Sequence, residues 1–244
     1  KVSASGKFGF NFYKPQNTDP LSVAISETLA DTHQHLFEKG FVDVMARSIE
    51  VQRVLTDALA GTTLTTVFPN TSLGNQFKMV ARLIAARDKL GLKKQCFFCS
   101  IGGFDTHGED QLERQTELLG QISEAVTAFY AATVELGVAN NVTTFTASDF
   151  GRTFTSNGQG SDHGWGSHHL VVGGAVQGGR LFGTFPNQDL RGPDDSGSQG
   201  NWIPTTSTEA YAATLGRWFG ADDTVLAQVF PRLQYFDANV GFMG

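Results

Sequence analysis

Between residues 95 and 147 the hydrophobic period of this chain changes twice, and that change constrains the fold more than any other feature. Residues 95–101 are a short apolar run closed by Gly102-Gly103, the pattern of a strand buried on both faces. Residues 109–137 then set Leu112, Leu119, Ile122, Val126, Phe129 and Val134 along one helical stripe, ended by Gly137. Residues 141–147, rich in Thr and Val, read as a second short strand. Strand, helix and strand in that order predict a βαβ unit, hence a parallel pair joined by a right-handed crossover.

The flanking segments fit the same class. Residues 1–20 carry no period and read as irregular coil. Residues 22–59 are helical in pattern, through Val44, Ile49, Val51, Leu55 and Leu59, and are predicted to form two helices joined near Gly40. Residues 73–90 place Phe77, Val80, Leu83 and Ile84 on one face, with Gly91 as the stop. Residues 150–167 and 184–205 read as loops, the second punctuated by Pro186, Pro193 and Pro204. Short strands are expected at 169–172 and 180–182. Thr206 and Glu209 make a capping-box spacing ahead of Tyr211, Leu215 and Trp218, and Asp222 or Asp223 opens a last helix through Phe230. The predicted fold is α/β: one domain over 1–244, a three-layer sandwich with a mostly parallel sheet flanked by helices. Its parts are the irregular 1–20, a helical part at 21–91, and a sheet core at 95–244.

Charge and cysteine content narrow the function. A formal net charge of -6 and a pI of about 5.5 argue against nucleic-acid binding, which requires a basic face. No apolar run approaches the roughly 18 residues of a membrane span. Cys96 and Cys99 are the two cysteines, and inside an apolar run they read as inert core thiols. The chain opens on Lys1 without a leader, which reads as a processed form, a fragment or part of something longer.

In open α/β sheets, ligands gather beyond the carboxyl ends of the strands. The first strand is followed by Gly102-Gly103-Phe104-Asp105-Thr106-His107, and the second by Ser148-Asp149-Phe150-Gly151-Arg152-Thr153. Asp162-His163-Gly164-Trp165-Gly166-Ser167-His168-His169 precedes the third. Imidazole with carboxylate is a ligand set for Zn, Mn or Fe, and carboxylate oxygens suit Ca. Asp105 and His107, two apart, project to the same side of an extended backbone. Arg152 is a cation for an ester's non-bridging oxygens, or a salt-bridge partner for Asp149. Thr106 and Ser148 are nucleophile candidates by position. Plain structural readings stand beside these: Asp105 as a turn residue, Asp149 as a helix N-cap, and one of His168 and His169 facing the core. The triplet Asp31-Thr32-His33 reads as a solvated helix face. Residues 194–198, with Asp194 and Asp195, read as loop rather than as a calcium site. Trp165 beside His163 is a candidate aromatic wall.

Gly-Gly-Phe-Asp-Thr-His at 102–107, Ser-Asp-Phe-Gly-Arg-Thr at 148–153 and Asp-His-Gly-Trp-Gly at 162–166 resemble the DUF1501 family of bacterial proteins. The Gly-rich stretch 173–179 and Tyr211, Leu215 and Trp218-Phe219-Gly220 resemble it too. The resemblance implies export by a twin-arginine signal, to the periplasm or beyond. It also implies a distant similarity to the alkaline phosphatase superfamily, which includes sulfatases. That similarity implies divalent-metal ligands at Asp149 and His163 and a ligand pair at Asp105 and His107. Phe150 stands where that superfamily has a ligand histidine, and His168 or His169 is the substitute. The superfamily's first strand has no counterpart here, so the sheet is predicted to lack it.

Two functions follow. One is an exported metal-dependent hydrolase of phosphate or sulfate esters, small or polymer-borne. Its metal ligands would be Asp105, His107, Asp149, His163 and His168, with Arg152 and Thr106 in catalysis. The other is a non-catalytic exported binding or assembly protein on a degenerate hydrolase scaffold, with a surface or periplasmic protein partner.

Overall fold

The computed structural model describes Tyr13 and residues 18–32, 34–108 and 110–244. The expected coil at 1–20 and the residue His33 lie largely or wholly outside these. The chain divides into two compact units, Lys1–Cys99 and Ser100–Gly244.

In the first unit, helix α1 (Pro20–Ala30) starts where the Asp19 carboxylate accepts the Ser22 N–H at 3.0 Å. Helix α2 (Leu36–Leu59) starts on His35, whose Nδ1 accepts the Phe37 N–H at 3.3 Å. The break between them falls at residues 31–35, and Gly40 lies inside α2. A side chain that satisfies orphan amides sets a helix boundary more firmly than one glycine, which costs a helix only about 1 kcal/mol. Asp31 is therefore the C-terminal cap of α1, not part of a helix face.

Helix α3 (Ser72–Ala85) is capped by Thr71, whose Oγ1 accepts the Gly74 N–H at 3.0 Å. The short α4 (Arg87–Leu90) ends on Gly91 at φ +64°, a left-handed residue that favours glycine. The core of this unit joins Ala58 and Leu59 at the end of α2 to Met79, Leu83 and Ala86, with Leu55 and Leu90 at its margin. Val44 and Val51, expected on the buried stripe of α2, are exposed.

The predicted sandwich with a mostly parallel sheet is not the fold. Helix makes up 46% of the described residues and strand 9%. The described strands form two antiparallel pairs. Strand β1 (Thr143–Phe145) pairs with β4 (Val171–Gly173), Thr144 opposite Val172. Strand β2 (Gly151–Ser156) pairs with β3 (Ser161–Gly164), Arg152 opposite His163. Residues 157–160 are too short a link for a parallel crossover and close a hairpin instead. The expected loop at 150–167 is thus largely this hairpin. Its Gly, Ser and Asn content masked the β-branched Thr153 and Thr155 within it.

Residues 95–101 join no ladder among the described residues. Phe98 is 90% exposed and Cys96 is exposed, so the run is not a buried strand, nor its thiols core thiols. An apolar run becomes a central strand only when neighbours supply its hydrogen bonds and cover both faces. Both cysteines are free, and partial burial pushes the Cys99 thiol up. Residues 180–182 form no strand, and the one expected at 169–172 is β4.

Helix α5 (Gln111–Glu135) buries Leu118, Ala125, Phe129 and Ala132. Much of the predicted stripe faces outward instead: Leu112, Leu119 and Val134 are exposed. Leu119, Ile122, Val126 and Tyr130 line an apolar groove of about 440 Å³ with Leu170 and Val172. Helix α6 (Thr208–Phe219) is capped by Ser207, one residue beyond the predicted Thr206, through an Oγ that accepts the Ala210 N–H at 3.0 Å. Helix α7 (Asp223–Val229) is capped by Asp222. Ala213, Leu226 and Leu233 make a second small core. Burial pushes the Tyr211 phenol up to about 12, and its hydroxyl donates to the Thr146 carbonyl at 3.2 Å.

Candidate metal centre

Three stretches of the second unit converge on one carboxylate oxygen. Residues 103–107 lead toward α5 as a turned segment, with Gly103 at φ +100° and the Thr106 N–H donating to the Phe104 carbonyl at 2.9 Å. Thr106 points inward and is buried, its hydroxyl accepting from Gln115 Nε2 at 3.1 Å. Asp105 and His107 point outward, with His107 Nδ1 at 3.0 Å from Asp105 Oδ1. Strand β3 brings His163, whose Nε2 lies 2.7 Å from the same Oδ1. The register that sets Arg152 opposite His163 sends both side chains from one face of the hairpin.

Local packing fixes this meeting. A Cβ on Gly160, in the hairpin turn, would sit 2.7 Å from Gln111 Oε1 and 3.0 Å from the His107 carbonyl carbon. Glycine therefore lets the turn lie against the segment that carries His107. Gln111 Nε2 donates to Ser161 Oγ at 2.7 Å, tying the start of α5 to β3. The His163 ring stacks on Phe150 with centroids 4.3 Å apart and stands 5.0 Å from the His107 ring.

Ligand atoms of Asp105, His107 and His163 all lie within 4.8 Å of one another. All three residues are exposed. The His163 hydrogen bond holds the Asp105 carboxyl below the usual carboxylate range. The charges of His107, His163 and Arg152 add to that, and slight burial opposes it. Two imidazoles and one carboxylate fit a divalent ion such as zinc or iron, with coordination positions left open to solvent. Calcium fits poorly, because it prefers six to eight oxygen ligands.

The remaining predicted site residues fall as follows. The Arg152 guanidinium is 15% exposed and 3.4 Å from Asp105 Oδ1. Its Nη1 donates to the Ser161 carbonyl at 2.8 Å and its Nη2 to the Phe104 carbonyl at 2.5 Å. It is paired with Asp105, not Asp149, and it braces the backbone on both sides of the triad. Asp149 is exposed, outside the triad, and precedes a strand, so it caps no helix. Ser148 donates to the Phe150 carbonyl at 2.9 Å. His168 lies outside the triad too, its ring 5.2 Å from that of Phe185. His169 stacks on Tyr211, and burial, then the charge of His168, lowers its pKa. Phe150, read as a lost ligand, stacks on a histidine of the triad instead. Trp165 is 62% exposed.

Gln111 and Asn201 were not among the expected site residues, and Asp195, expected in a plain loop, organises that loop. The Asp195 carboxylate accepts four backbone N–H groups, from Arg191, Gly197, Gly200 and Asn201. Those bonds, Arg191 foremost, hold its pKa below the usual range against the effect of burial. The available signal was Asp195 followed by a run of Gly and Ser, the composition of a loop folded around a carboxylate.

No curated protein and no solved structure matches this chain. The sequence model of one family, described as "Protein of unknown function (DUF1501)", matches residues 69–220 and so spans Asp105, His107, Arg152 and His163. That match covers more than half of the chain, and the protein belongs to the DUF1501 family.

Proposed function

We propose that this protein holds one divalent metal ion on Asp105, His107 and His163 and hydrolyses an anionic ester there. The observation that carries the reading is the convergence of three ligand atoms, from two segments far apart in sequence, within 4.8 Å on an open surface. When bound, such an ion polarises an ester oxygen and activates water. The chain's own residues would do the rest. Asp105 gathers both imidazoles around one of its oxygens, which keeps the three side chains together before an ion enters. Phe150 fixes the plane of the His163 ring by stacking.

Arg152 contributes a fixed positive charge beside the triad, which favours an anionic substrate. Its Nη1 and Nη2 groups are engaged with backbone carbonyls, so it acts as a charge and not as a two-pronged clamp. Thr106, turned inward on Gln115, does not serve as the nucleophile. Solvent access at the triad makes water the attacking group. The ester class, phosphate or sulfate, and the exported location follow from the motif resemblance. No described helix is long and apolar enough to cross a membrane.

The test begins with protein stripped of metal and titrated with zinc and with manganese by calorimetry. One equivalent should bind. His163→Ala should weaken binding by more than the roughly 10–100-fold typical of losing an outer-shell partner. The loaded protein should hydrolyse nitrophenyl phosphate or sulfate, and the variant should not. Absence of uptake would remove the reading. Stoichiometric uptake without hydrolysis would favour the second one, a non-catalytic exported binding protein, which the inward-turned Thr106 and the engaged Arg152 also support.

A further inference from the structure

The segment from Asp194 to Trp202 is a frame for the hairpin that carries His163. Its carbonyls at Gly200 and Gln199 accept the N–H groups of Phe154 and Thr155, at 3.2 and 2.9 Å, along β2. Its other end meets the chain just past β3. There Asn201 Oδ1 accepts the Trp165 N–H at 2.6 Å, and the Trp202 carbonyl accepts the Gly166 N–H at 2.9 Å. Asn201 is itself held by its own N–H, which donates to Asp195 Oδ1 at 3.0 Å. The same carboxylate gathers Arg191, Gly197 and Gly200. Gly200 sits at φ +76°, and a Cβ there would fall 2.4 Å from Phe154 Cβ, so the frame lies tight on β2.

We infer that Asn201, fixed by Asp195, is a positioning residue for His163. It pins the backbone two residues beyond the histidine, and β3 is only four residues long. Within so short a strand, the hydrogen bonds at its two ends set where the imidazole points. At one end Gln111 holds Ser161, and at the other Asn201 holds Trp165. Asn201 makes its hydrogen bonds to Trp165 and Asp195, outside the triad, so its effect passes through the backbone. The inference concerns metal affinity only insofar as the triad is the metal site proposed above.

Asn201→Ala removes the side-chain acceptor and leaves the Asp195 bonds in place, whereas Asn201→Asp keeps an acceptor oxygen. Both are read by zinc calorimetry and by the NMR resonances of the His163 ring in metal-free protein, which the stacked Phe150 ring displaces. We expect Asn201→Ala to weaken zinc binding about tenfold, the lower range for an outer-shell partner, and to shift the His163 ring resonances. Asn201→Asp should restore both. Unchanged His163 resonances in Asn201→Ala, or an Asn201→Asp as impaired as the alanine variant, would overturn the inference. Failure of the unaltered protein to bind zinc would overturn the metal reading alone, because the His163 resonances still report the positioning.

Discussion

Helices α3 and α5 carry the same kind of signal and meet opposite fates. Each has an apolar stripe at helical spacing. In α3 the stripe is covered, and Phe77, Val80, Leu83 and Ile84 are all buried. In α5 the buried face is centred on Leu118, Ala125, Phe129 and Ala132, while its neighbour Leu119 lies 54% exposed on an open groove. A hydrophobic period establishes that a face exists. It does not establish that the face is covered, because covering depends on other segments.

The sharpest test of that contrast is truncation on the buried sides. Leu83→Ala and Leu118→Ala should each destabilise the protein by about 2–5 kcal/mol, read by urea unfolding. At 2% exposure Leu118 leaves a cavity that its neighbours cannot fill. A much smaller change would mean that α5 is held by something other than this face. Leu119→Lys, one residue away, should change stability by no more than about 0.5 kcal/mol, the range for surface positions. A cost as large as that of Leu118→Ala would show the groove to be covered in solution.

The smallest effect concerns pH. Asp105 and Asp195 both have depressed carboxyl pKa values in the fold. Each therefore adds stability that is fully present above the ordinary carboxylate value of about 4 and is lost as pH falls through the lower folded value. Acid titration of the melting temperature should show this loss, with Asp195→Asn flattening it more than Asp105→Asn. Asp195 accepts four backbone bonds, whereas exposed Asp105 is screened by solvent.

The closeness of Asp105 and His107 was more legible than the fold. They do lie together, but through a tight turn at Phe104–Thr106 and not through the alternation of an extended chain. His163 arrived from the Asp-His-Gly-Trp-Gly stretch, and only the hairpin register set it over Asp105. Asp149 and His168 have the same chemistry and lie elsewhere, because residue type does not encode which loops meet. The strand at 95–101 failed for a related reason. Its composition is that of a buried strand, but the ladder that makes a strand belongs to its neighbours.

Neighbouring residues were enough to set the local elements: helix stops at Gly91 and Gly137 and a carboxylate start for α7 at Asp222. These depend on the nearest few residues, through capping and left-handed glycine. Tertiary structure alone decided the antiparallel pairing, the uncovered stripe of α5, and the meeting of His163 with Asp105 across 58 residues of chain. Each of those depends on which distant segments come into contact, and local pattern carries no record of that.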